Sequence, residues 1–432
     1  MQPAYWQTSI DRNISEFGYS PTLDGLATGQ TNPLAVMYYR NNYNYGKGNN
    51  IVGNAFVEIE PVMNLKFKSI YGINSWFGTG RSMNPTYHLG VLYTDATDGA
   101  SQNSYLGASS TWTNTLSYDK KFGEHKINAV IGTELLQNQI NNEISGSRNN
   151  LLFPGDPRYA YLNNTKNPAS ISVFNTNGAD WAANGGGTQS FFGRAQYDYN
   201  EKYLLSVTMR ADGSSNFAPD KRWGYFPSVS AGWVLTKEDF MSSTSSIVNF
   251  AKLRGSWGQN GNQAIDAFQY LANINYSFPG YFFGDTKPVS GTTAIIQNVP
   301  NPDITWETSE QLDFGLDAKL FDSRLGLTFD WYKKTTKNWL VLAPGLGTLG
   351  ATPPYINGGD VENSGIEYSV NWNDKVGDFK YGITLSGAHN KNEVTRIANA
   401  DGIIHGSSNV LSQGTGEVSR VQVGQPIGYF YG

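Results

Sequence analysis

Cysteine is absent from all 432 residues, which removes disulfides and thiolate-built metal sites. Charge is scarce at 16% of residues, where ordinary globular chains carry about 25%. The net charge of -5 is mild and leaves no basic footprint for nucleic acid. The only histidines are His88, His125, His389 and His405, and no two stand at metal-ligating spacing. No apolar run approaches the ~18 residues of a membrane-spanning helix. That excludes helical spans and leaves spans built from strands open. Met1 to Ser9 show no basic segment followed by an apolar one, so no secretory signal is read there.

What is abundant is aromatic and glycine. Aromatics reach 14%, with Tyr 26, Phe 22 and Trp 11, and glycine stands at 48. Apolar and polar residues alternate with a period of two. Tyr203, Leu205, Val207 and Met209 oppose Ser206, Thr208 and Arg210. Leu325, Leu327, Phe329 and Trp331 oppose Arg324, Thr328 and Asp330, and Ile366, Tyr368, Val370 and Trp372 oppose Glu367, Ser369, Asn371 and Asn373. Period two places each set on one face of a strand. Strands are predicted near 51–60, 64–76, 110–119, 125–140, 188–199, 203–212, 224–235, 250–258, 307–320, 325–341, 363–374 and 378–394, with another starting near Ile427.

Their connections alternate between short and long. Short ones are 61–64, 120–124, 200–202, 321–323 and 374–378, with a middling one at 236–249. Long ones, rich in Gly, Asn, Ser, Thr and Pro, are 77–109, 141–187, 213–223, 259–306, 342–362 and 395–426. In an antiparallel meander this puts tight turns at one end and loops at the other, as in outer-membrane barrels. Charges on the polar strand faces must meet water or one another. Arg210, Arg254, Asp313, Asp317, Asp330 and Glu367 are therefore the candidates for lining a wet lumen. A soluble sandwich would turn the same residues to bulk solvent.

Motifs for other chemistry fail on context. Gly345 to Gly350 matches a dinucleotide fingerprint, but Pro353-Pro354 follow where its helix must start. Asp95, Asp98, Asn175, Asn177 and Asp180 do not fit an EF-hand loop. Glu58 and Glu60, or Asp313 and Asp317, lie in regular alternation with nothing to make one an acid and the other a base. No catalytic residue, cofactor or metal is expected. Aromatics assigned to the long loops are the candidates for ligand or partner contact: Trp76, Phe77, Trp181, Tyr276, Tyr281, Phe282, Phe283 and Trp339.

Several blocks resemble one family in order along the chain. They are Gly53–Pro61 (GNAFVEIEP) with Leu65–Ser69 (LKFKS), Phe192–Ala195 (FGRA) with Tyr203–Ser206 (YLLS), Arg210–Phe217 (RADGSSNF), and Trp223–Trp233 (WGYFPSVSAGW). Lys252–Asn262 (KLRGSWGQNGN), Asn301–Glu307 (NPDITWE), Asp330–Thr336 (DWYKKTT), Asn363–Glu367 (NSGIE) and Gly424–Gly432 (GQPIGYFYG) continue the series. The set is similar to SusC/RagA-type TonB-linked outer-membrane transporters. Pro302 and Trp306 are expected where a long loop returns to the membrane interface.

The resemblance implies an all-β fold, a partial antiparallel transmembrane barrel of about 12–13 strands. The whole barrel of the family is 22-stranded and closed by an N-terminal plug. It implies import of a bulky nutrient, glycan or peptide, through the outer membrane of a Gram-negative bacterium, with a SusD-like lipoprotein and TonB as partners. Residues 1–432 are read as one barrel domain from which plug and last strands are missing, a piece of a longer chain. Two rivals stay open: a soluble surface β-sandwich that binds carbohydrate, whose apolar faces pack internally, and a β-rich glycan hydrolase.

Overall fold

Twelve strands form the backbone of the fold, each hydrogen-bonded to its neighbours in sequence. They are β1 (Asn44–Val62), β2 (Leu65–Asn84), β3 (Gly99–Phe122), β4 (His125–Asn149), β5 (Gly187–Tyr199) and β6 (Tyr203–Ser214), then β7 (Trp223–Val234), β8 (Val248–Asn262), β9 (Glu307–Leu320), β10 (Leu325–Lys337), β11 (Gly359–Val376) and β12 (Phe379–Ile397). A thirteenth strand, Ser172–Asn175, pairs with β4. The computed structural model describes residues 44–88, 94–95, 97–166, 172–175, 186–283, 289–343, 349–407, 410 and 414–431, with backbone alone at 87–88, 94–95, 138–142, 172–175, 275–283 and 289–293.

All twelve predicted strands are present, and their turn-side ends fall where the sequence places them. Tight turns follow from backbone chemistry. Gly123 and Gly377, each with φ +60, hold the first position of two-residue hairpins, a conformation that a Cβ disfavours. Several loop-side ends run further than predicted, with β2 continuing to Asn84, β3 beginning at Gly99 and β4 ending at Asn149, whereas β10 stops at Lys337, short of the predicted 341. Polar residues there no longer report a buried face, yet the backbone still needs ladder partners. The strand predicted to start near Ile427 is present at Tyr429–Phe430, paired to Ser419–Gln422 in a small sheet with Ile403–His405.

The chain divides into two compact units. The first contains residues to Ala55, then 72–110 and 137–185. Its buried cluster is Met83, Ala100, Leu151 and Ala160, where the folded segment after β4 packs on the ends of β2 and β3. The second contains 56–71, 111–136 and everything from Gly186 onward. Among the described residues its buried clusters include Phe217, Phe226, Ile304 and Trp306, and Val361, Val394 and Ile397. Trp306 is therefore not an interface residue: it is 8% exposed and donates from Nε1 to the Arg222 carbonyl at 2.8 Å. Its ring fills the gap between Phe217 and Phe226 and ties the loop before β9 to β7.

Candidate functional site

Register in the second unit separates the two faces of the sheet. Ser206, Ser230, Ser256, Asp313 and Tyr332 lie opposite one another from β6 to β10, and Leu205, Ala231, Gly255, Phe314 and Trp331 form the adjacent row. The second row belongs to an apolar face left open. Val207 is 48% exposed, Phe314 55% and Phe329 44%, although each sits mid-strand with partners on both sides. A water-soluble sandwich would pack these side chains against a second layer. A continuous exposed apolar face of this kind suits hydrocarbon.

At the short-turn end that face carries a row of rings. Phe122 and His125 stack at 5.3 Å, His125 meets Tyr199 at 4.9 Å, and Tyr199, Tyr203, Trp233 and Phe240 continue at 6.3 to 6.5 Å. His125 Nδ1 shares a 2.6 Å hydrogen bond with the Tyr197 hydroxyl. Tyr203 and Trp233 both donate to Glu238, at 2.6 and 2.8 Å. Amphipathic rings with wet polar tips are what a membrane interface selects.

The opposite face is polar and ion-paired. Arg254 Nε donates to Asp317 at 3.0 Å and Nη1 lies 2.6 Å from Asp330. Register explains why one guanidinium reaches both. Arg254 pairs with Gly315, which pairs with Asp330, so the guanidinium lies flat over a residue that has no side chain. Asp313 accepts from Ser256 and Gln311. Arg210 donates to Asp212 at 2.7 Å, Ser190 at 2.8 Å and Glu134 at 3.1 Å. Glu367 lines a 440 Å³ groove with Thr328, Asp330 and Ser369. All six predicted polar-face residues thus stand on the face opposite the apolar one. Arg254, Asp313, Asp317 and Asp330 cluster, whereas Arg210 belongs to a separate network.

A 580 Å³ groove beside this cluster has Lys126, Asn128, Arg194, Gln196, Lys252 and Arg254 in its walls. Serines 206, 230 and 256 and Gly232 give it a floor of small residues. Lys126, Arg194 and Gln196 escaped the sequence reading, although their alternation within β4 and β5 carries the signal.

The aromatic candidates divide differently. Trp76 and Phe77 are in β2, not in a loop, because the strand continues eight residues beyond its predicted end. Trp76 covers Gly107, and Phe77, 37% exposed, belongs to the other face. Trp339 packs against Val361, Val394 and Ile397, so its ring is committed to a core. Tyr276, Tyr281, Phe282 and Phe283 lie in strand Ile274–Phe283, paired with Val289–Ile296, and their side chains fall outside the described residues. Trp181 also lies outside them. Among the described residues no group of three His, Asp or Glu could hold a metal.

This two-faced antiparallel ladder has counterparts. The family profile "TonB dependent receptor-like, beta-barrel" matches residues 4–414. The chain belongs to that family. It is 29% identical over 418 residues to TonB-dependent receptor P3 of Formosa agariphila, covering 95% of this chain and 39% of the relative. It is 34% identical over 218 residues to TonB-dependent receptor SusC of Bacteroides thetaiotaomicron, covering 49% of this chain and 21% of the relative. The solved structure of the RagAB peptide transporter superimposes with a TM-score of 0.75 at 21% identity, over 95% of this chain and 42% of that one. The TonB-dependent receptor chain described here thus spans about two fifths of the relatives it matches over most of its own length. The family is one of outer-membrane receptors rather than enzymes, and the β-barrel fold class expected from the sequence is the family's own.

Proposed function

We propose that this chain supplies part of the wall of an outer-membrane barrel that imports a bulky nutrient, a glycan or a peptide, using TonB and a SusD-like surface lipoprotein. The supporting observation is the division of faces: exposed apolar side chains such as Val207 and Phe314 on one, and the Arg254, Asp317 and Asp330 network on the other. A wet passage bounded by lipid needs both. Arg210, Arg254, Asp313, Asp317, Asp330 and Glu367 line the passage in this reading, and selectivity resides in these groups and the loops. The solved neighbour RagAB is a peptide transporter, which supports keeping peptides among the candidate cargoes. Residues 1–432 act as one barrel domain of a larger receptor.

The test is deletion of the gene in its source bacterium, followed by growth on panels of oligosaccharides and of peptides as sole carbon source. Loss of growth on one class, restored by the intact gene, supports the reading and assigns the cargo. Unchanged growth and unchanged uptake of labelled members of both classes would overturn it. The soluble carbohydrate-binding alternative requires the apolar faces to pack internally, which disagrees with their exposure.

A further inference from the structure

On the first unit the apolar face ends in a different chemistry. Ile73 and Phe77, 41% and 37% exposed, share one face of β2, and Arg81 continues it four residues further on. Four residues of strand advance about 13 Å, so Arg81 stands beyond the apolar band, toward the long-loop end. There it lies under the folded segment that follows β4. Its guanidinium is 4.1 Å from the Tyr161 ring centre and 5.7 Å from that of Tyr45, and Lys47 Nζ is 5.7 Å from the same Tyr45 ring. The row Lys47, Tyr45, Arg81, Tyr161 alternates cation and ring.

Among the described residues neither cation has a carboxylate partner. Arg81 gives one hydrogen bond, from Nη1 to the Arg158 carbonyl at 3.3 Å, and among the described residues neither Arg81 nor Lys47 forms an ion pair. The nearby acids are engaged elsewhere: Asp156 with Arg158 at 2.7 Å, and Glu143 with Asn103 at 2.9 Å. A 430 Å³ groove runs beside Arg81, with Tyr45, Ile144, Tyr161 and Leu162 as its apolar lining. Ile144, in its wall, is 53% exposed.

We propose that this groove seats an outer-leaflet lipid bearing phosphate. Arg81 and Lys47 hold the phosphate, and Ile144, Leu162 and the tyrosine rings hold the first part of an acyl chain. Arginine suits the task because its planar fork meets two phosphate oxygens while its face stacks on a ring. Its position at the edge of an apolar surface is where a headgroup must lie. The inference rests on the outer-membrane placement proposed above.

The experiment uses the full-length gene product purified from the outer membrane in detergent, with diphosphoryl lipid A as probe and native mass spectrometry as readout. Dephosphorylated lipid A and inorganic phosphate are the comparisons. Wild type is expected to hold the diphosphoryl form at least tenfold more tightly than the dephosphorylated one. Arg81→Gln should remove most of that preference, Lys47→Gln part of it, and Arg81→Lys should fall between. Heat-modifiable migration on gels reports folding of each variant. Equal binding of the phosphorylated and dephosphorylated lipids by wild type overturns the proposal, whatever the variants do. Full displacement of the lipid by millimolar inorganic phosphate also overturns it, by making the groove a free-anion site. If cell fractionation finds the protein outside the outer membrane, the membrane reading fails first. An outer-membrane protein without phosphate preference sinks only this inference.

Discussion

Neighbouring residues on β10 give the sharpest test of the two-faced sheet. Phe329 pairs with Leu316 and Tyr368 on the apolar face and is 44% exposed. Thr328 pairs with Asp317 and Ser369 on the polar face. Phe329→Arg would put a cation into hydrocarbon, at a cost of about 2–4 kcal/mol near the bilayer midplane. At about 1.4 kcal/mol per tenfold, the folded-to-unfolded ratio falls ~30- to ~1,000-fold. Thr328→Arg would bring a cation opposite Asp317 and should stay within about 0.5 kcal/mol of wild type. Urea titration of the full-length receptor in lipid vesicles measures both, and the same pair made in water-filled surroundings would show no such asymmetry. Equal costs for the two substitutions, or a larger cost at Thr328, would refute the assignment of faces.

Three further outcomes follow from the geometry. Arg254→Met leaves Asp317 and Asp330 facing each other without their shared cation, and should destabilise the sheet by about 1–2 kcal/mol because the network is partly solvated; converting both acids to Asn in the same chain should recover most of the loss in a double-mutant comparison. Trp306→Ala empties the cluster with Phe217 and Phe226 and should cost ~3–5 kcal/mol, read as faster hydrogen exchange at Asn301–Glu307 with the turn end of the sheet unchanged. Glu238, held by the Tyr203 hydroxyl, then the Trp233 indole and Lys202, has its carboxyl pulled down to about 2. A lowered value means that its contribution is complete above the ordinary carboxylate range and is lost as pH falls toward 2. Exchange protection at 235–247 should therefore persist at pH 5 and fade between about pH 4 and pH 2, whereas Glu238→Gln should be less protected at pH 7 and insensitive to that fall; a protected segment at pH 2 in wild type contradicts the assignment.

The sequence alone determined what depends on neighbours along the chain. Period-two alternation at Tyr203–Met209 or Ile366–Trp372 records one apolar and one polar environment, and that record is local. Short turns were legible as short connections such as 120–124 and 374–378, within which the structure finds Gly123 and Gly377 at positive φ. The six polar-face residues were legible for the same reason.

What tertiary structure decided depends on partners far away in the chain. Arg254 reaches Asp330 because two successive registers place Gly315 between them, and Gly315 is the residue a guanidinium can lie across. Trp306 became a core residue because Phe217, from the connection after β6, and Phe226, from β7, enclose it. Trp76 and Phe77 became strand residues because β2 still finds hydrogen-bond partners after its hydrophobic pattern has faded. Tyr45, Arg81 and Tyr161 come from three separate parts of the chain, and none carries a local signal that it will meet the others. Alternation states which way a side chain faces, and only strand register and loop closure state what it faces.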